Sequence, residues 1–126
     1  METLRAFMMI CMALVASTGT QASDWTHDDT GRELVFQGLL LVDWGQTLDI
    51  SYSCHSGGKY YETNPLLGEC PDRGKVNTYM LGAAVLHAGI SYVLPPDWRK
   101  PWQYTSIIIE AGAVAHNINI GLQVRF

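Results

Sequence analysis

The chain has 126 residues, a net charge of −4 and only 16% charged residues, against about 25% in an average domain. Its basic residues are few and scattered, which excludes an electrostatic footprint for nucleic acid. So low a charge content implies much buried surface, whether the burial is in protein or in lipid.

The first 22 residues have the layout of a secretory signal peptide. Arg5 precedes an apolar run from Ala6 to Ala16, and small polar residues lead to Ala22. The apolar run is shorter than the roughly 20 residues that span a bilayer. We therefore expect an exported protein with residues 1–22 removed and residues 23–126 forming a single helical domain. Cys11 falls inside this leader. Cys54 and Cys70 remain, and two cysteines flanking one loop of an exported chain are expected to pair as a disulfide.

In chain order, Thr30 with Glu33 three residues later reads as a capping box. A first helix is predicted from about Arg32 to Ile50, rich in apolar residues in its first half and mixed in its second. Ser51 to Gly74 reads as a loop, with Gly57-Gly58, Asn64-Pro65, Pro71 and Gly74 as turn formers. A second helix is predicted from Val76 to Leu94, stopped by Pro95-Pro96. A third is predicted from Trp102 to about Gln123. Alternation of Ile118, Ile120, Leu122 and Val124 with polar or small residues offers a competing strand over Ile118 to Phe126.

The expected fold is all-α, a three-helix arrangement with helices two and three as a transmembrane hairpin. Both are long enough to span. Ala84 with Ala88, and Ala111 with Ala115, give the small-residue spacing that lets helices approach closely in lipid. Trp98, Trp102, Tyr79 and Tyr92 resemble an interfacial belt. In this topology the cysteine-bearing loop lies outside and Arg99-Lys100 faces the cytoplasm. A three-span arrangement and a soluble periplasmic bundle are the alternatives. His87, Glu110, His116, Asn117 and Asn119 speak against lipid, because polar groups at mid-span are costly unless paired.

Three polar constellations stand out. Asp43, Gln46 and Thr47 share one helical face; an internal hydrogen-bond network, extended by Glu110 and Asn117, is favoured over a binding site. Glu62, Asn64 and Pro65 belong to a turn-forming segment and read as structural. Asp43, His87, Glu110 and His116 are the candidate ligands of a metal or proton-relay site across three helices. Glu110 and His116 are six residues apart and point in different directions, so they are not expected to line one narrow groove. Compact zinc spacings, nucleophile signatures and phosphate loops are lacking, so no cofactor is expected.

Asp43-Trp44-Gly45-Gln46-Thr47, followed by Tyr60-Tyr61-Glu62-Thr63-Asn64-Pro65-Leu66-Leu67-Gly68, resembles a group of small uncharacterised exported or membrane proteins of proteobacteria and their prophages. The likeness continues through Val76, Tyr79, Leu94-Pro95-Pro96, Trp102-Gln103-Tyr104, Glu110 and His116-Asn117. It implies a short, helical, membrane-associated protein and no particular activity; Cys54 and Cys70 depart from its usual pattern.

The resulting expectation is a non-enzymatic envelope protein of the inner membrane with a periplasmic portion. It would touch membrane lipid and act by contact with an envelope protein partner. A membrane-embedded metal or proton site and a soluble periplasmic helical binding protein are the alternatives.

Overall fold

The computed structural model describes residues 24–126; the signal-peptide reading of residues 1–22 lies outside them. Three helices make up the fold, with no strand among the described residues: α1, His27–His55; α2, Arg73–Val93; and α3, Pro96–Asn119.

Helix α1 starts earlier than its predicted cap. Thr26, not Thr30, is the N-cap. Its side chain accepts from the Asp29 backbone, while the Asp29 carboxylate accepts from the Thr26 backbone. Two capping boxes overlap in the sequence, Thr26 to Asp29 and Thr30 to Glu33. The first prevails because it places Asp29 against Arg99, and Thr30 then takes its hydroxyl to Trp25 Nε1 at 2.8 Å.

Helix α2 is capped by Asp72, whose side chain accepts from Lys75 N at 2.9 Å. It ends before the double proline as expected. Helix α3 begins six residues before its predicted start. Pro96 occupies the first turn, where its fixed φ suits a helix. The Trp98 and Arg99 backbones both donate to Pro95 O, and Pro101 is absorbed inside the helix. The competing strand does not form. The helix runs to Asn119, Gly121 turns the chain at φ +93°, and an extended tail folds back along α1.

Helix α1 is the spine. It packs against both α2 and α3, which share few contacts with each other. The apolar core is small: Phe36, Leu40, Leu48, Leu67, Val76 and Met80. The expected transmembrane hairpin is not supported, because no described helix is long and apolar enough to cross a membrane. Helices α2 and α3 carry His87, Ser91, Arg99, Gln103 and Glu110 on their inner sides, and these groups break the apolar runs. The two helices also find their main partner in α1 rather than in each other.

The burial pattern is unusual. Asp29, Glu33, Gln46, Thr47, Ser91, Arg99 and Gln103 are buried, whereas Leu34, Val35, Leu81, Val85, Ile108 and Ile109 are exposed. Buried charges persist only when paired and hydrogen-bonded, and here they are.

Candidate functional site: an acidic cavity between the helices

The polar interior has two parts. The first is a closed network near the double-proline turn. Arg99 is fully buried and donates to Asp29 Oδ2 at 3.1 Å, Ser91 O at 2.8 Å, Leu94 O at 2.9 Å and Asp24 O at 3.3 Å. Arg32 donates to Asp29 Oδ1 and to Gln103 Oε1. Burial alone would raise the Asp29 pKa, but hydrogen bonds from Thr26 and Arg99, with the Arg99 charge, hold it below the usual aspartate value.

Glu33 continues this network. One oxygen accepts from His87 Nδ1 at 2.9 Å and from Gln37 at 2.9 Å; the other accepts from Ser91 at 2.8 Å and from Gln103 at 3.2 Å. Burial opposes its charge, yet these donors outweigh it and hold the carboxyl at about 2. His87 is stacked between Phe36 and Trp102, at centroid distances of 3.6 and 5.1 Å. Sequence reasoning missed Asp29, Glu33, Ser91, Arg99 and Gln103 as interior groups.

The second part is open. A cavity of about 730 Å3 lies between the three helices and is roofed by the segment around Tyr61 to Leu67. Phe36, Leu40, Met80 and Ile109 supply apolar wall. Asp43, Thr47, Glu62, Asn64, Glu110 and Asn117 bring polar groups to the same space, with His87 and His116. All four residues expected to form a metal or proton site, Asp43, His87, Glu110 and His116, thus face one cavity. Glu110 and His116 do not line one narrow groove; they share this space because it is broad enough to meet two sides of α3.

The expected polar network is also present in part. Asn117 Nδ2 donates to Asp43 Oδ1 at 2.9 Å and to Gln46 Oε1 at 3.1 Å, joining α3 to α1. Thr47 is buried and lines the cavity. Glu110 is different: its Oε1 is buried without a hydrogen-bond partner, and so is His87 Nε2.

Burial raises the Asp43 pKa to about 6, helped by the Glu62 charge and opposed by the Asn117 hydrogen bond. Burial likewise raises the Glu110 pKa to about 7, helped by the Asp43 charge. Burial thus raises the pKa values of two carboxyls toward neutrality beside an apolar wall, as is found for groups in functional sites.

The turn motif forms the roof. Glu62 Oε1 accepts from the Thr63 and Asn64 backbones, and Asn64 Oδ1 accepts from Leu66 N. Pro65 lies inside this turn, which Gly68 closes at φ +78°. Asn64 Nδ2 donates to Tyr79 OH at 2.9 Å, fixing the roof to α2. The segment forms the turn its residues suggest, and it brings Glu62 and Asn64 to the cavity lining.

Cys54 at the end of α1 is bonded to Cys70, with the Cα atoms 5.8 Å apart, within the usual range for a disulfide. The pair closes the loop that carries the roof. No known protein family, curated protein or solved structure matches the chain.

Proposed function

We propose that the protein is a binding protein that holds a small, partly apolar organic cation in the acidic cavity. The observation that carries this reading is the convergence of Asp43 and Glu110 on one space, with Glu110 Oε1 buried and unpartnered. Ligand sites are concave, mostly apolar and furnished with a few convergent polar groups. An ammonium group supplies what these carboxyls lack: a positive charge that favours their ionised forms, and N–H donors for Glu110 Oε1. The apolar wall of Phe36, Leu40 and Ile109 suits an attached hydrocarbon body.

The test is calorimetric titration with hexylamine and, as a neutral counterpart, hexanol. Saturable binding of the amine, weakened tenfold or more by Asp43→Asn or Glu110→Gln, is the expected result. Equal binding of the alcohol, or an amine affinity unchanged by both substitutions, overturns it.

The outer face favours a second element of the role, association with membrane lipid. Leu34, Val35, Leu81, Val85 and Ile108 are exposed around the bundle, while Asp29, Glu33, Asp49 and Arg99 are buried inside it. An apolar outer face of this kind is the surface a lipid association would use. Co-flotation with liposomes that survives high salt supports this element; recovery of the protein in the lipid-free fraction removes it.

A further inference from the structure

Away from the cavity, three side chains that favour soft or borderline metal ions meet at the end of α1. Cys54 Sγ, Cys70 Sγ and a ring nitrogen of His55 all lie within 4.8 Å of one another. We propose that, when the Cys54–Cys70 bond is reduced, the two thiolates and His55 bind one zinc ion, so that the disulfide and the metal site are alternative states of the same three residues.

The geometry of the histidine is the first support. His55 Nδ1 lies 2.8 Å from Ser51 O, a backbone carbonyl that accepts its proton. Histidines that ligate metals are typically held this way, by donation of the other ring N–H to a carbonyl or carboxylate. Nε2 then keeps its lone pair, and Cys70 Sγ stands beside the ring, 3.9 Å from Nε2 and 3.6 Å from Nδ1. In a tetrahedral zinc site, bond lengths of about 2.3 Å to sulfur and 2.05 Å to nitrogen place those two donors about 3.6 Å apart. The separation is close to that value, and a turn of the imidazole ring aims Nε2 at an ion shared with Cys70.

Location and access are the second support. His55 and Cys70 are exposed and Cys54 is half-buried, so ions and reductants reach the site. It also sits at the C-terminus of α1, where the helix dipole favours a cation. Water completes the fourth position, as in zinc sites with three protein ligands.

The redox step balances with a dithiol as reductant. One dithiolate sulfur attacks the Cys54–Cys70 bond, its second sulfur resolves the mixed disulfide, and the reductant leaves as its own disulfide. The two electrons stay on Cys54 and Cys70. The two protons of the reductant pass through solvent to Cys54 and Cys70, and zinc then displaces them from the two thiols as it binds the thiolates.

The experiment uses the full chain reduced with a phosphine, cleared of reductant and titrated anaerobically with zinc sulfate. Bound metal is counted by elemental analysis, and free thiols are assayed in parallel. Stoichiometric binding by reduced protein, at least a hundredfold weaker binding by oxidised protein, and a tenfold or greater loss in His55→Ala are expected. Zinc should also slow reoxidation of the thiols by glutathione disulfide at least tenfold. Equal zinc binding by the oxidised chain, no stoichiometric binding by the reduced chain, or unchanged affinity in His55→Ala each overturns the proposal. Circular dichroism of the reduced chain, with Cys54→Ser/Cys70→Ser as a second unbridged form, shows whether α1–α3 persist. Loss of the helices on reduction, not recovered by zinc, also overturns it.

Discussion

Glu33 and His87 stand 54 positions apart in sequence and meet through a 2.9 Å Nδ1–H to carboxylate contact. The pair ties α1 to α2 at the closed end of the polar interior. Because the Glu33 pKa falls from 4.5 to about 2 on folding, its contribution is fully present above pH 4.5 and is lost as pH drops toward 2. The contribution is about 1–3 kcal/mol. Urea unfolding between pH 6 and pH 2 should show this loss in the native chain and a flatter profile in Glu33→Gln.

Glu110 has the opposite sign. Its folded pKa is raised from 4.5 to about 7, so the folded state is penalised increasingly as pH rises from 4.5 through 7. Asp43, raised from 3.8 to about 6, acts in the same direction. Glu110→Gln should therefore stabilise the protein by about 1–3 kcal/mol at pH 8 and change little at pH 4. Thermal melts at the two pH values check this. Binding of a cation at the cavity should tighten from pH 5 to pH 8 for the same reason, and isothermal titration across that range reads it.

Arg99 is fully buried and holds Asp29, Ser91, Leu94 and Asp24 together. Removing one partner of a buried ion pair leaves the other charge uncompensated. Arg99→Ala should cost about 3–5 kcal/mol. Arg99→Lys should recover little, because an ammonium has three donors and no planar fork. Denaturant midpoints of the two variants test both statements.

Gly45 marks where the tail crosses α1. A Cβ there would overlap Val124 Cγ1 and press on the Phe126 ring at 3.2 Å. The tail is also held by Arg125 N to Gly45 O at 3.0 Å and by Arg125 Nε to Asp49 at 2.9 Å. Gly45→Ala should destabilise by about 1–3 kcal/mol through displacement of this contact. Val124→Ala in the same chain should restore part of the loss, as judged by thermal melting.

Much of this architecture could be read along the chain, but unevenly. Asp43, Gln46 and Asn117 were legible as a network because their spacing puts them on facing sides of two helices. Helix ends were less so. Thr26 and Thr30 both begin capping boxes, and only the distant Arg99 decides between them. Pro101 reads locally as a break, yet a helix already started at Pro96 carries it.

The inversion of polarity was the larger miss. Asp29, Glu33, Phe36, Leu40, Asp43 and Thr47 follow one another at three- and four-residue steps on α1. Leu34, Val35 and Leu41 lie on the other side and are exposed. The polar stripe was the inward one, and its periodicity was the available signal. The shared cavity of Glu110 and His116 depends on its breadth and on the roof, which no helical wheel contains.

The spine arrangement of α1 has a mechanical corollary. The flanking helices α2 and α3 are joined by the double proline and fastened there by Arg99, yet they barely touch elsewhere. Spreading them pivots on that fastened end, as the jaws of a clip pivot on its spring. The far end, where Asn64 and Ile120 border the cavity, lies away from that fastening, and a guest entering there reaches His87 only at the inner end of the space.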